Sequence, residues 1–323
     1  GKMGQFLWPG NEASGRVSVV PMGITEESWL DRKPHLAALE AQDVSRLLPK
    51  RMDHSNKGSY GKLLVIAGSV NMAGAAIMCA RAAYRSGCGL VKILTAEENR
   101  VIIQSAVPEA ILSTYGTKLD EMQVVEELKW ADAVVLGPGI GTERNAQKLV
   151  SLVLKNCAVP LLLDADALNV IAKETELLLR PHTEMVVTPH LGEMARLTGD
   201  TVSLIQTRLV ESAFTFAQTY NVVCVLKDFH TVTAIPYALG YLNLSGNHGM
   251  ATGGSGDVLS GVIGAFLAQG LTADVAAPLG VFVHGLAGDE AAKTTGKRAL
   301  FSSDLIDGLS RVYDRADADS ERF

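Results

Sequence analysis

The chain has 323 residues, 47% of them hydrophobic and 20% charged, which suits one large α/β domain or one domain with an appendage. Its net charge of −6, without a long basic cluster, argues against nucleic acid and anionic membrane surfaces as partners. No run of about 18 uncharged apolar residues is present, which argues against a membrane span.

The chain begins with an N-terminal tail, residues 1–26, that is too short to bury a hydrophobic core of its own. Its sequence predicts a turn at Pro9-Gly10 and a strand from Arg16 to Val20. The main domain, 27–323, begins with a polar stretch that carries one amphipathic helix, at roughly 36–48. We therefore expect one folded domain preceded by a short appendage.

From residue 61 onward, short apolar runs alternate with helical patterns. The predicted strands are Leu63–Ala67, Leu90–Thr95, Ala133–Leu136, Pro160–Leu163, Met185–Thr188 and Val222–Leu226. The predicted helices are 73–86, 97–105, 120–129, 143–155, 166–172, 192–198, 204–219, 257–269, 273–294 and 302–315. This alternation predicts an α/β fold with a mainly parallel sheet and helices on both faces. Ligands of such sheets bind at the carboxyl ends of the strands, so motifs that follow strands should meet in one crevice.

Glycines and other small residues follow two of these strands. The stretch from Ala67 to Ala76 would let the backbone approach a flat ligand closely, although it equally suits a tight strand–helix turn. It is not a G-x-G-x-x-G sequence, which argues against a Rossmann dinucleotide site. The sequence Gly137-Pro138-Gly139-Ile140-Gly141 predicts a rigid, low-profile loop that could contact a ligand.

Two carboxylates follow the strand that ends at Leu163. Asp164 and Asp166 could organise a metal ion or a water molecule. Alternatively, Asp166 caps the next helix and Asp164 accepts hydrogen bonds from loop amides. We favour a supporting role for this segment, which continues to Asn169.

Polar side chains also follow the next two strands. His190 and Glu193 are three residues apart at the start of a predicted helix, so both could face the mouth of the crevice. A lone histidine is usually structural, but the neighbouring strand-end loops favour a ligand-binding role here. Lys227 can reach phosphate oxygens, the alternative being a solvated lysine in a hairpin turn. Asp228 suits phosphate binding only if its carboxylate points away.

The most informative stretch runs from Gly246 to Asp257 and contains five glycines. A glycine loop that opens a helix presents unpaired N–H groups and the positive end of the helix dipole to an anion. Asp257 stands where the loop becomes the helix and could accept a proton beside a bound phosphate. The alternatives are a structural glycine turn and a helix-capping role for Asp257.

Together, these motifs resemble those of the ribokinase-like superfamily and, within it, the ADP/ATP-dependent NAD(P)H-hydrate dehydratases. The family pattern is A-G-S…M-A-G-A-A, G-P-G-I-G, D-A-D-A-L-N, T-P-H-x-G-E, L-K-G-x-x-T and N-P-G-M-A-T-G-G-T-G-D-V-L-S-G. The chain carries almost all of it, in order, across roughly 50–315. Related kinases of the hydroxymethylpyrimidine type have T-P-N-x-x-E, so His190 favours the dehydratases. The resemblance implies a ribokinase-like α/β fold.

The resemblance implies two neighbouring ligand sites. The hydrated dinucleotide, which is NADH or NADPH with a hydroxyl at C6 of the nicotinamide ring, would contact Gly74, Ala76, Gly139, His190 and Asp257. The adenine nucleotide, ADP or ATP, would contact Lys227, Asp228, Phe229, His230, Thr231, Gly253, Gly254, Ser255 and Gly256. Mg²⁺ would accompany the nucleotide. Three residues would support the site without touching a ligand: Asp164, Asn169 and Glu193.

The implied reaction restores NAD(P)H from the S-form of its hydrate, which is a metabolite repair. Asp257 matches the general base of the superfamily and would deprotonate the C6 hydroxyl. The hydroxyl would be phosphorylated by ADP or ATP, and phosphate would then be eliminated. A vitamin-precursor kinase of the same superfamily and a non-catalytic adenine-nucleotide sensor are the alternatives.

Three residues depart from the family pattern: Asp228 replaces a glycine, His248 a proline and Ser255 a threonine. Asp228 weakens the expectation that its own backbone binds phosphate. The N-terminal tail resembles the closing strand of the NAD(P)HX epimerase domain that is fused to bacterial dehydratases. The resemblance therefore implies an epimerase domain as partner, and it also implies a homo-oligomer.

The four cysteines contain no C-x-x-C pair, and three of them lie in apolar stretches. Buried free thiols in a reducing compartment are the expected state of such residues. Residues 1–30 lack the basic and apolar regions of a secretory signal. We therefore expect a cytoplasmic location.

Overall fold

The computed structural model describes residues 2–20, 23, 34–179 and 183–320. Ten strands form one sheet: β1 Leu36–Ala37, β2 Lys62–Ile66, β3 Leu90–Ala96, β4 Ile111–Tyr115, β5 Ala133–Leu136, β6 Leu161–Leu163, β7 Met185–Val187, β8 Val223–Leu226, β9 Val232–Ala234 and β10 Gly240–Leu242. Their order across the sheet is β1-β10-β9-β8-β7-β6-β5-β2-β3-β4. The strands from β8 to β4 in this order pair in parallel, whereas β9 pairs antiparallel with both neighbours.

Helices cover both faces of the sheet. They are α1 Gly10–Ser14, α2 Ala41–Leu47, α3 Ala73–Arg85, α4 Arg100–Ala106, α5 Glu121–Trp130, α6 Arg144–Asn156, α7 Asp166–Ile171, α8 Leu191–Thr198, α9 Val202–Thr207, α10 Leu209–Tyr220, α11 Ser255–Ala268, α12 Ala273–Thr295 and α13 Ser302–Ser320. No helix in these described ranges is long and apolar enough to cross a membrane.

Two apolar clusters lie on opposite faces of the sheet. In β2, Leu63 and Val65 join the cluster beneath α3 and α11, while Leu64 and Ile66 join the one beneath α5 and α6. Successive side chains of a strand point to opposite faces, so a strand buried on both faces is apolar at every position. This explains why uninterrupted apolar runs identify the central strands.

The predicted mainly parallel α/β sheet is confirmed, and all six predicted strands form. Four further strands, β1, β4, β9 and β10, were not predicted. Of these, β1, β9 and β10 have only two or three residues, and β4 is an edge strand with polar Ser113 and Thr114. Such short or mixed segments carry no clear periodic signal.

Three predicted elements differ in the structure. The helix predicted at roughly 36–48 begins only at Ala41, because Leu36–Ala37 pairs with β10. The helix predicted at 204–219 is two helices, α9 and α10, with a break at Arg208. The strand predicted from Arg16 to Val20 is wrong, because these residues are irregular. The tail instead contains the helix Gly10–Ser14. Residues 21–22 and 24–33 lie outside the described part of the chain.

The carboxyl ends of the central strands are level with one another. The amide of Gly137, after β5, donates to Ile66 of β2 at 3.1 Å. The amide of Asp164, after β6, donates to Leu136 at 3.1 Å. The amide of Thr188 donates to Leu163 in the same way, at 3.1 Å. This register places the predicted motifs side by side along one edge of the sheet.

Candidate active site

A buried ion pair lies at the centre of this edge. Lys227, directly after β8, places its Nζ 3.0 Å from Oδ1 of Asp164, directly after β6. Ser260 of α11 donates its hydroxyl to Oδ2 of the same carboxylate at 2.8 Å. Burial lowers the pKa of Lys227, but the carboxylates of Asp164 and Glu193 outweigh this effect and raise it overall. Lys227 is therefore a charged, held side chain and not the solvated lysine of a hairpin turn.

Asp257 stands beside this pair in the first turn of α11. Burial raises its pKa to about 7, the nearby Asp164 carboxylate adds to the rise, and Lys227 opposes it. A carboxyl group with a pKa near the working pH is suited to accept and return a proton. The position of Asp257 therefore fits general base chemistry better than a capping role alone.

The glycine loop brings the start of α11 to the ion pair. Gly254, with φ of +89°, precedes the first residue of the helix and adopts a conformation that favours glycine. A Cβ at Gly256 would lie 3.6 Å from Nζ of Lys227 and 3.8 Å from Oδ2 of Asp164. The first N–H groups of a helix lack intrahelical partners. The N-terminal end of α11 and a fixed ammonium group therefore lie close together, an arrangement that suits an anion.

A cavity of about 390 Å³ opens on one side of this position. Its walls include seven of the residues predicted to contact the nucleotide: Lys227, Asp228, Phe229, His230, Thr231, Ser255 and Gly256. The other two predicted residues, Gly253 and Gly254, lie in the adjoining loop and do not line the cavity. The carbonyl of Gly253 accepts a hydrogen bond from the Ser302 hydroxyl at 2.5 Å. Gly253 and Gly254 thus fix the glycine loop against α13.

The two other glycine-containing loops, which follow β2 and β5, pack against each other. The amide of Ser69 donates to the carbonyl of Gly139 at 2.6 Å. A Cβ at Gly139 would lie 2.9 Å from that of Ala75, so this glycine permits the loops to pack together. Gly74 has open space above its Cα, whereas Ala76 is fully buried. Of that predicted pair, Gly74 is therefore the residue that is accessible to a ligand.

His190 and Glu193 form a closed pair at the start of α8. Nδ1 of His190 accepts from the amides of Gly192 and Glu193, at 2.9 and 3.3 Å. Nε2 of His190 lies 3.3 Å from Oε1 of Glu193, and Oε2 of Glu193 accepts a hydrogen bond from the His190 amide. Burial and then Lys227 lower the pKa of His190, so its ring is neutral at pH 7. The pair shapes the crevice with a neutral imidazole that carries its proton on Nε2.

The remaining supporting residues hold neighbouring loops. Oδ2 of Asp166 accepts from the amide of Gly141 at 2.9 Å and fixes the loop that contains Gly139. Oδ1 of Asn169 accepts from Nε of Arg196 at 3.0 Å and ties α7 to α8. These contacts agree with the supporting role favoured for this segment.

Known proteins that are similar to this chain are found among the dehydratases. Residues 63–311 match the family described as NAD(P)H-hydrate dehydratase. The chain belongs to this family. It is 37% identical over 250 residues to the ADP-dependent (S)-NAD(P)H-hydrate dehydratase of Neisseria meningitidis serogroup B, covering 76% of this chain and 82% of that protein.

A solved structure and a longer relative extend this likeness. The ADP/ATP-dependent NAD(P)H-hydrate dehydratase of Bacillus subtilis, co-crystallised with ATP and Mg²⁺, superposes with a TM-score of 0.79 at 33% identity, covering 87% of this chain and 99% of that one. The bifunctional NAD(P)H-hydrate repair enzyme Nnr of Moorella thermoacetica is 38% identical over 320 residues and 96% of this chain. The chain spans 60% of the length of that relative.

In this member of the dehydratase family, much of the cavity wall was not anticipated from sequence. The additional wall residues are Asn243, Ser245, Gly246, Asn247, His248, Met250, Ala251, Leu259, Val281, His284 and Gly285. His284 lies 3.4 Å from the Ser255 hydroxyl through Nε2, and burial lowers its pKa to about 4. A polar residue within the apolar run of α12 was the available signal for His284.

Proposed function

We propose that the chain catalyses ADP- or ATP-dependent dehydration of the S-form of NAD(P)H hydrate. The observation that carries the proposal is the carboxyl group of Asp257, with its pKa of about 7, beside the Lys227–Asp164 pair at the start of α11. The cavity lined by Ser255 and Gly256 adjoins the same end of α11. The activities named for the Neisseria and Bacillus relatives support the same function.

In the proposed reaction, Asp257 accepts the proton of the C6 hydroxyl of the hydrate. The hydroxyl oxygen then attacks the terminal phosphorus of ADP or ATP, and the bond to the bridging oxygen breaks to release AMP or ADP. The C6–O bond next breaks with loss of inorganic phosphate as the ring nitrogen donates its electron pair. Loss of a proton from C5 restores the double bond of NAD(P)H.

Lys227 and the N–H groups at the start of α11 would stabilise the charge that develops on the transferred phosphoryl group. Donors that are already fixed in place need no reorganisation during the reaction, which makes them effective. The contacts of Lys227 with Asp164, and of Asp164 with Ser260, provide this fixation. His190, neutral and held by Glu193, would lie against the nicotinamide portion.

The residues present also fit Mg²⁺ that enters with the nucleotide. In the part of the chain that the structure covers, no three His, Cys, Asp or Glu side chains are grouped to hold a metal. Mg²⁺ in such sites typically uses one or two carboxylates, phosphate oxygens and water. Asp166, half-buried two residues after Asp164, would hold the ion through water. The ion would neutralise charge on the phosphate oxygens.

The test is incubation with hydrated NADH plus ADP or ATP while the absorbance of the reduced nicotinamide is followed. We expect NADH to reappear together with inorganic phosphate, and Asp257→Asn to lower the rate by about 10²- to 10⁴-fold because the proton acceptor is lost. Failure of the unaltered chain with both donors would refute the proposal. A stable phosphorylated product without NADH would favour the vitamin-precursor kinase, and ADP binding without turnover the sensor.

Four wider expectations stay predictions. The division into a tail, 1–26, and a main domain, 27–323, rests on the likeness of the tail to the end of an epimerase domain. The bifunctional relatives support an epimerase domain as partner. A homo-oligomer is expected from the family, and a cytoplasmic location from the four cysteines, which are all free and buried.

A further inference from the structure

The N-terminal tail touches the body of the protein next to the nucleotide cavity. Its first ordered part contains the 3₁₀ helix Met3–Gln5 and the short helix α1. Phe6 and Leu7 lie between these two helices and are half-buried. They pack against the apolar cluster beneath α5 and α6. Their neighbours Met3 and Trp8 are exposed, at 49% and 39%. Phe6 and Leu7 are thus the residues through which this part of the tail docks.

The ring of Phe6 meets the ring of His230 edge to face. The two centroids are 6.4 Å apart and the planes are inclined by 71°, a favourable arrangement for an aromatic pair. The His230 ring also contacts that of Phe229, at 4.5 Å between centroids. Its Nδ1 lies 3.0 Å from the carbonyl oxygen of Asn243. His230 is therefore held from three directions, one of which is supplied by the tail.

The three residues of the main domain in this group are all part of the cavity wall. Phe229, His230 and Asn243 line the cavity, whereas Phe6 lies behind His230 and does not. His230 precedes β9 and Asn243 follows β10, so the two residues belong to different arms of the hairpin that these strands form. A change in the position of the His230 ring would alter the shape of this wall.

We propose that Phe6 is a positioning residue of the nucleotide site, acting through His230, so that docking of the N-terminal tail and nucleotide binding favour each other. The proposal rests on the proposed function, since it takes the occupant of the cavity to be ADP or ATP. The coupling is reciprocal by thermodynamic necessity. If the docked tail improves the nucleotide site, then bound nucleotide holds the tail more firmly against the body.

The first test compares ADP affinity among variants of the full chain by titration calorimetry. Phe6→Ala should weaken ADP binding by about three- to tenfold, the range expected for loss of one aromatic pair. Phe6→Tyr keeps the ring and should bind ADP like the unaltered chain. Met3→Ala removes an exposed side chain of the same segment and is the matched control. In steady state, Phe6→Ala should raise the KM for ADP with little change in kcat.

The second test measures amide hydrogen exchange in residues 3–14 with and without ADP. Bound ADP should slow exchange there in the unaltered chain and in Phe6→Tyr, but not in Phe6→Ala. This readout separates positioning from general stability, because a merely structural Phe6 would change exchange equally with and without ADP. Equal ADP affinity in Phe6→Ala, or exchange unaffected by ADP in the unaltered chain, would overturn the inference. Absence of binding of both ADP and ATP to the unaltered chain would instead overturn the proposed function.

Discussion

The carboxyl group of Asp257 determines the expected response of the enzyme to pH. Burial and the charge of Asp164 raise its pKa to about 7, and Lys227 offsets only part of the rise. A general base acts only in its deprotonated form, so kcat/KM for the hydrate should increase with pH up to about 7 and level off above. A profile measured with saturating nucleotide checks this, and a flat profile between about pH 5 and 8 would contradict it.

Single residues also mark the limit of what the sequence can predict. The position of Lys227 after a strand indicated that it would lie beside the other strand-end motifs, because strand ends of a parallel sheet share one edge. Its partner Asp164 is 63 residues away, and no local pattern joins the two. The same holds for His284, which reaches Ser255 from the middle of α12. Such contacts depend on how helices are placed on the sheet.

At the scale of elements, α12 fixes the loop that forms one wall of the proposed nucleotide cavity. Oδ2 of Asp289 accepts from the amide of Gly246, and Oδ1 accepts from Nδ2 of Asn247, both at 2.9 Å. Asn247 in turn accepts from the amide of Gly249 at 3.1 Å. One carboxylate on α12 therefore holds several consecutive residues of the loop.

Replacement of this carboxylate should loosen the loop and weaken nucleotide binding. We expect Asp289→Ala to raise the KM for ADP by about 10-fold, since hydrogen bonds to a charged group each contribute roughly 1.5–3 kcal/mol. Asp274→Ala, which removes an exposed aspartate at the other end of the same helix, is the control. An unchanged KM in Asp289→Ala would show that the loop keeps its shape without this anchor.

Strands could be predicted from the sequence where both of their faces are buried. The six strands with continuous apolar runs were recognised from sequence because both faces of the sheet are covered. In the tail, Arg16 to Val20 contains three valines and suggested a strand, yet strands require a partner to accept their hydrogen bonds. Propensity alone therefore failed there, as it did for the short strands β9 and β10.

At the scale of the whole molecule, the site is assembled from parts spread along most of the chain. The loops of Gly74 and Gly139, the Asp164 segment, His190, and the Lys227 hairpin follow five neighbouring strands in their order across the sheet. The register of those strands sets the separation of the motifs. The predicted strand ends indicated that the motifs would meet, whereas the strand order that makes them neighbours came only from the structure.

Helix α11 carries the proposed base and also holds Asp164, and this restricts how the product nucleotide can leave the site. Asp257 and Ser260 are three residues apart on this helix, and the Ser260 hydroxyl donates a hydrogen bond to Asp164. A rotation of α11 that moved Asp257 away would therefore break this hydrogen bond. Because α11 is also buried from Val258 to Ala268, it forms the stationary side of the site. We therefore expect product release to involve outward movement of the opposite side, the 228–231 turn and the 243–250 loop. During turnover, amide exchange should quicken in those two segments while α11 remains protected; quickened exchange in α11 would contradict a stationary helix.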